Sequence, residues 1–147
     1  MDSKKFFETY VAGNKFCLNQ GMTHKVEKPG LVHVSMTTSE DHVSANDTKA
    51  GVAMIHGGVL TGLLDSALGA AALSVSVEQD MLCATAEIKT SFFAPVELGD
   101  ELVATARIKH AGRRLLYAEG DVVRRSDQRV VAAATGTFNM YPLSKRM

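Results

Sequence analysis

A single acidic side chain stands in the middle of a strongly apolar stretch of this chain. The stretch HGGVLTGLLDSALGAAA begins at His56, and Asp65 is its one carboxylate. Its neighbours three and four positions away along a helix are uncharged, so no local cation neutralises it. If burial raised its pKa, Asp65 would be a better base than a surface aspartate. The alternative is a carboxylate on a solvent-exposed strip or one bonded to nearby backbone, and the residue types leave both interpretations open.

Two glycines at the start of the same stretch could serve a second chemical function. Gly57 and Gly58 leave backbone N–H groups uncovered by side chains, where the helix dipole favours a developing oxyanion. The same glycines also suit a tight entry from a loop into a helix. No Gly-Lys-Ser or Gly-Lys-Thr follows them, so the segment is not a phosphate-binding loop.

The hydrophobic pattern predicts the elements that must position these residues. An N-terminal helix is expected within residues 1–20, capped by Asp2 or Ser3, and a strand at 31–38 precedes a polar loop. The apolar stretch predicts a central helix over 56–77. Strand-like runs then occupy 82–140, namely 82–93, 101–109, 115–124 and 129–140. One long helix followed by a strand meander predicts an α+β fold whose curved antiparallel sheet wraps the helix.

Length and composition narrow the classes of protein further. The 147 residues suffice for one core and favour a single domain over 1–147. Zero net charge, with 22% charged and 46% hydrophobic residues, disfavours nucleic acid and membrane as partners. Cys17 and Cys83 form no close pair, and the start of the chain lacks the apolar segment of a signal peptide. The cytoplasm is therefore the expected location.

The motifs resemble a known family once they are taken together. Residues 56–72, followed by ATAEIKTSFFAPVELGDELVATARIKHAGRRL at 84–115, resemble the hotdog-fold acyl-CoA thioesterases of the phenylacetate-pathway type and their 4-hydroxybenzoyl-CoA relatives. The likeness covers about residues 50–138, and its most specific part is His-Gly-Gly with an acid nine positions after the histidine. The resemblance implies a hotdog fold and hydrolysis of an acyl-CoA to free acid and coenzyme A. It also implies no cofactor or metal, and a homodimer or a dimer of dimers.

The same resemblance assigns roles to individual residues. The family's helix acid falls on Asp65, its oxyanion-binding N–H on Gly57, and its water-orienting strand hydroxyl on Thr85. His56 matches the motif histidine, and we expect it to order the start of the helix rather than to take part directly. Asp65 would act as general base or as nucleophile. The sequence does not separate these two mechanisms.

Candidate binding residues follow from charge and from aromatic side chains. Basic residues cluster at 109–114 and again at 124–129, and the first cluster is the better candidate for the coenzyme A phosphates because it adjoins the resembling region. The candidate substrate contacts are Gly58, Phe92, Phe93, Arg113 and Arg114. Met54, Leu64 and Leu68, together with the two phenylalanines, could line an acyl pocket, although each is more simply explained as a core residue.

One position departs from the family pattern. Many members carry Asn or Gln six residues before the histidine, whereas this chain has Ala50 there, and Asn46 is out of register. Another group would then supply that hydrogen bond, or the acyl preference would differ. A hotdog dehydratase or hydratase and a non-catalytic acyl-CoA-binding module remain the alternative functions.

The spacing of the two candidate groups has a consequence for assembly. Gly57 and Asp65 are eight residues apart, which on one helix separates them by about 12 Å along the axis. They cannot both reach one thioester carbonyl. Two helices lying antiparallel across a two-fold axis would bring Gly57 of one copy near Asp65 of the other. The sequence therefore predicts an obligate dimer with two shared sites.

Overall fold

A long central helix packs against one face of a six-stranded antiparallel sheet in the computed structural model, which describes residues 2–44 and 53–146. The helices are α1 (Ser3–Ala12), α2 (Lys15–Asn19) and α3 (Gly57–Ser76). The strands are β1 (Thr23–Lys28), β2 (Leu31–Thr37), β3 (Met81–Phe92), β4 (Glu101–Ala111), β5 (Leu115–Arg124) and β6 (Arg129–Pro142). They are arranged in the order β1-β2-β4-β5-β6-β3.

The apolar character of α3 follows from its surroundings. The helix contacts all six strands, and its leucines Leu63, Leu64 and Leu68 are completely buried. By length and hydropathy the segment Gly57–Gln79 could cross a membrane, but it is the core helix of this fold. The predicted central helix and the predicted α+β class with an antiparallel sheet are confirmed.

The N-terminal region differs from the prediction of one helix. Asp2 caps α1 by accepting hydrogen bonds from two backbone N–H groups, as expected. The helix then ends at Gly13, and the Asn14 side chain accepts a hydrogen bond from the Cys17 N–H to begin α2. Because an asparagine cap begins a new helix better than it continues an old one, the chain divides into two helices here.

Strand β1 is absent from the sequence prediction. Its sequence THKVEK lacks the alternation of a half-buried strand, and five of its six residues are exposed at the edge of the sheet. The strand exists because its backbone pairs with β2, with Thr23 opposite Ser35 and Val26 opposite Val32. Backbone pairing of this kind leaves little trace in a hydrophobic pattern.

Candidate active site

Asp65 lies on the face of α3 that is turned toward the edge strand β3. The Thr85 hydroxyl donates a hydrogen bond to Asp65 Oδ1 at 2.9 Å. Asp65 is half-buried, whereas Thr85 is exposed in the single chain. The hydrogen bond fixes one carboxylate oxygen, and the Thr85 oxygen retains lone pairs that could accept from a water. The structure therefore brings together the helix acid and the strand hydroxyl that the resemblance pointed to.

A β-bulge in β3 directs Thr85 toward the helix. The register of β3 against β6 shifts at Ala86, which directly follows Thr85. Thr85 is paired with the buried Phe138, and beyond the bulge Phe92 is paired with the buried Ala132, so both lie on the inner face of the sheet. Residues seven positions apart in a regular strand would face opposite sides. The extra residue reverses the alternation, and bulges commonly re-aim a side chain beside a functional site.

His56 organises the first turn of α3. The ring Nδ1 of His56 accepts a hydrogen bond from the Gly58 N–H at 2.8 Å. The backbone N–H of His56 donates to the His42 carbonyl at 3.0 Å. A Cβ on Gly58 would lie 2.8 Å from that ring nitrogen, so the glycine makes room for the imidazole. The His-Gly-Gly sequence is thus a helix cap in which the second glycine accommodates the capping side chain.

The Gly57 N–H belongs to the first turn and is not used by the cap. Val59 donates to the His56 carbonyl and Gly58 donates to the His56 ring. Among residues 2–44 and 53–146, no group accepts a hydrogen bond from the Gly57 N–H. This donor lies at the positive end of the helix dipole, where an oxyanion is favoured. Because the Gly58 N–H is already engaged, Gly57 is the better candidate donor of the two.

A cleft of about 420 Å³ opens beside Asp65, and we call it the Asp65 cleft. Its walls come from α1, α2, α3, β1, β3 and β6. Besides Asp65 and Thr85, the lining includes Tyr10, Val11, Phe16, Cys17, His24, Gly69, Leu73, Cys83, Phe138 and Tyr141. Burial raises the pKa of the Cys83 thiol to about 11, so this group is a neutral thiol at neutral pH and not a thiolate nucleophile. Asp65 remains the acidic group of the cleft.

Comparison with known proteins decides the family. The family model of the Thioesterase superfamily matches residues 53–131, which contain His56, Asp65 and Thr85. The chain belongs to the thioesterase superfamily. The match confirms the family that the sequence motifs resemble and favours it over the dehydratase, hydratase and binding-module alternatives.

Individual relatives agree with this membership. Human acyl-coenzyme A thioesterase 13 is 24% identical over 76% of this chain and 74% of its own length. The Caenorhabditis elegans protein F42H10.6, named as a candidate esterase, is 30% identical over 80% of this chain, and the match spans 64% of that protein. The PaaI protein of the Escherichia coli phenylacetic acid degradation operon has the same fold, with a TM-score of 0.82 at 21% identity, covering 95% of this chain and 93% of that one. The hotdog fold is confirmed, and these relatives support an acyl-CoA thioesterase as the class of enzyme.

The cations predicted for coenzyme A lie at the same end of the sheet as Thr85. Arg113 and Arg114 are exposed in the turn between β4 and β5. The Arg114 carbonyl accepts from the Met140 N–H, and Met140 is paired with Cys83, two residues before Thr85. At about 4.8 Å between neighbouring strands, the turn is therefore about 10 Å from the edge strand.

The second basic cluster of this thioesterase is partly neutralised. Arg124 forms a charge-assisted pair with Asp127, Nη2 to Oδ2 at 2.7 Å, and also donates to the Pro95 carbonyl. The guanidinium holds the pKa of Asp127 down at about 2. An arginine already paired in this way is a weaker candidate for a phosphate, which favours the turn at 109–114.

The residues predicted to line an acyl pocket do not line the Asp65 cleft. Leu64 and Leu68 are core residues with no exposed surface. Phe92 and Phe93 are 53% and 57% exposed, and the Phe92 ring lies 3.5 Å from where a Gly57 Cβ would be. Phe92 therefore adjoins the Gly57 end of α3 rather than the Asp65 cleft. The interpretation of Ala50 and Asn46 falls outside the described residues.

Residues of the N-terminal helices were missed as cleft-lining groups. Phe16 lies against Gly62, where a Cβ would be 3.0 Å from the ring, and Cys17 Sγ lies 3.5 Å from Ser66 Oγ. The exposed aromatic residue and the small residues of α3 were the available signals, but only the packing of α2 on α3 brings them together. Within the described parts of the chain, no group of three His, Cys, Asp or Glu side chains could hold a metal ion.

Proposed function

We propose that this protein hydrolyses acyl-CoA thioesters at a site built from Asp65 of one copy and the Gly57 N–H of a second copy. The observation that carries the proposal is the Thr85 to Asp65 hydrogen bond, which orients a carboxylate at the open edge of the sheet within a thioesterase fold. The available N–H of Gly57 supplies the complementary electrophilic group.

The chemistry uses each group in a distinct step. The Gly57 N–H donates to the thioester carbonyl oxygen and stabilises the negative charge that develops there. In the general-base route, Asp65 takes a proton from water as the water oxygen bonds to the carbonyl carbon. The carbon–sulfur bond then breaks, and coenzyme A leaves as a thiolate that receives a proton. In the nucleophilic route, the Asp65 carboxylate attacks the carbonyl carbon and the carbon–sulfur bond breaks, which releases coenzyme A as a thiolate. Water then hydrolyses the resulting mixed anhydride to the free acid and Asp65.

Assembly through the β3 edge accounts for the separation of the two groups. β3 is twelve residues long and, within the described residues, has β6 as its one neighbouring strand, and its residues 84–86 are exposed and uncharged. A long, exposed edge strand of this kind is a template for pairing with another chain. Antiparallel pairing of two β3 strands would align two α3 helices and place Gly57 of each near Asp65 of the other. We propose a homodimer on this basis, and a dimer of dimers as its higher assembly.

Replacement of the carboxylate tests the proposed activity. Asp65→Asn is nearly isosteric but removes the base, so turnover of an acyl-CoA should fall at least about a thousandfold while substrate binding persists. The measurement is steady-state hydrolysis over a panel of acyl-CoA substrates, with circular dichroism to check the fold. Turnover above about a tenth of the wild-type value would correspond to a loss of less than ~1.4 kcal/mol and would rule out the catalytic role.

Isotope labelling separates the two routes. A single turnover in H₂¹⁸O puts label into Asp65 if an anhydride forms and water attacks its aspartyl carbon, so label in Asp65 identifies the nucleophilic route. The general-base route puts label into the product acid alone. Mass spectrometry of the peptide that contains Asp65 distinguishes these outcomes.

A further inference from the structure

A second, larger cavity lies beside the Asp65 cleft. It measures about 850 Å³ and runs between α1 and the edge strand β1, over the C-terminal end of α3, and we call it the α1–β1 groove. Its apolar lining consists of Phe7, Val11, Leu18, Met22, Val26 and Val77, with Cys17 between them. Nothing in the hydrolysis of the thioester itself requires this cavity.

Three side chains line both cavities. Val11 of α1, Cys17 of α2 and His24 of β1 belong to the wall of the Asp65 cleft and to the wall of the α1–β1 groove. Cys17 Sγ lies 4.0 Å from His24 Nε2. The cavities therefore adjoin at this junction, where two of the three side chains are small. A chain that passes from one cavity to the other has to displace these side chains.

The junction is compatible with an apolar ligand. Burial lowers the pKa of His24 below its usual value, so the imidazole is neutral at neutral pH and places no charge in the passage. The charged residues of the groove, among them Lys4, Glu8 and Lys28, are exposed and lie at its rim. The interior between them presents aliphatic and aromatic surface that a hydrocarbon chain could bury.

The length of the path sets the length of the ligand. From Asp65 to Val77, where the groove meets the end of the helix, the rise along the axis is about 18 Å at 1.5 Å per residue. An extended chain advances about 1.2 Å per bond, since three backbone bonds span about 3.3–3.6 Å. The path therefore holds about fifteen bonds, the length of a long-chain fatty acyl group.

We propose that the acyl group of the substrate is a long fatty chain that runs from Asp65 past Val11, Cys17 and His24 into the α1–β1 groove. This proposal rests on the proposed thioesterase function and specifies its substrate. The thioester lies at Asp65, and the terminal part of the chain lies under α1. The N-terminal helices thereby determine acyl-chain length, because they form one wall of both cavities.

Two substitutions test the path, one at the junction and one in the groove. Val11→Phe fills the junction, and Val26→Glu places a carboxylate in the groove at a position that does not line the Asp65 cleft. Each should lower kcat/KM for palmitoyl-CoA at least about tenfold, and Val26→Glu should leave kcat/KM for butyryl-CoA within about twofold. The short chain ends before the groove and is insensitive to the change at Val26.

A matched control distinguishes an effect of charge in the groove from an effect of charge elsewhere on the surface. Val130→Glu introduces the same side chain on β6, at a valine that is 39% exposed compared with 40% for Val26, and it lines neither cavity. It should leave both substrates unaffected. Because Val26 is at the surface, its variant tests the proposal even if Val11→Phe fails to fold.

The outcomes distinguish this proposal from the activity on which it rests. Wild-type protein that hydrolyses butyryl-CoA as efficiently as palmitoyl-CoA would overturn the long-chain assignment and leave the thioesterase intact. A Val26→Glu variant with unchanged palmitoyl-CoA hydrolysis, or with equal losses for both chain lengths, would also overturn it. Wild-type protein that hydrolyses no acyl-CoA would overturn the proposed function itself.

Discussion

The first turn of α3 and its middle turn contribute different groups and are held in different ways. The first turn is organised by local contacts, since His56 caps the helix through the Gly58 N–H and does not use the Gly57 N–H. The middle turn depends on a distant element, because Thr85 of β3 orients Asp65 from twenty positions further along the chain. A backbone donor can be built by a few neighbouring residues, whereas an oriented carboxylate needs a partner supplied by the fold.

Strand β3 connects these two regions of the helix. Thr85 contacts Asp65 on one side of the bulge, and Phe92 lies against Gly57 on the other. Gly57 and Asp65 of α3 therefore both face the edge of the sheet that β3 forms. The first turn, which local contacts organise, and the middle turn, which depends on β3, can be tested by changing each one separately.

Among changes that leave the carboxylate in place, the largest effect is expected from removing the donor in the first turn. Gly57→Pro deletes the N–H, and the φ of −63° and ψ of 135° at His56 suit a residue that precedes proline. Hydrolysis should fall about 10²–10³-fold with the fold retained, as measured by kcat and thermal melting. Gly57→Ala is the matched control, because it keeps the N–H and its Cβ would make an ordinary 3.5 Å contact with Phe92. Equal losses in the two variants would contradict the role of the N–H.

Mixing variants tests whether the two regions act across a dimer. Asp65→Asn and Gly57→Pro homodimers should each be inactive. After refolding of equal amounts, about half the dimers are mixed, and one of the two sites in each mixed dimer has both intact groups. About a quarter of wild-type activity should return. Absence of rescue, with mixed dimers demonstrated by mass spectrometry, would argue that the groups do not share a site.

A smaller effect is expected from the partner of the carboxylate. Thr85→Val removes the hydroxyl that donates to Asp65 and should lower kcat about tenfold, with little change in KM. Thr85→Ser keeps the donor and should restore most of kcat. A serine variant as impaired as the valine variant would indicate that packing of the threonine methyl, rather than its hydrogen bond, positions Asp65.

The smallest effect on turnover is expected from replacing the capping residue, His56. His56→Ala should lower the free energy of unfolding by about 1 kcal/mol through loss of the bond to the Gly58 N–H. Asparagine is a strong N-cap residue, so His56→Asn should recover most of that stability and retain turnover. Denaturant unfolding and kcat are the two measurements. If His56→Asn is stable but inactive, the imidazole has a chemical role beyond capping.

The elements that sequence could predict are those whose pattern is local. The boundaries of β5 at Leu115–Arg124 and the start of the central helix near His56 could both be predicted, because turn residues and apolar periodicity mark them. Strand β1 and the break between α1 and α2 were not, since an exposed edge strand and a short helix carry little periodicity. Asp65 and Gly57 stood out by residue type and position in the apolar stretch, whereas only the family resemblance pointed to Thr85. The catalytic roles of all three stay predictions.

The sequence by itself determined the central apolar helix with its one carboxylate and its glycine-rich entry, and its motifs resemble those of a thioesterase family. Local spacing suffices for the helix and its entry because each depends on residues within a few turns of one another. Only the tertiary structure decided that Thr85 and Phe92 share a face, since the bulge at Ala86 reverses the alternation that their spacing alone would give. Tertiary packing likewise places α1 and α2 beside the Asp65 cleft, because side chains distant in sequence become neighbours only when the helices dock on α3 and the sheet.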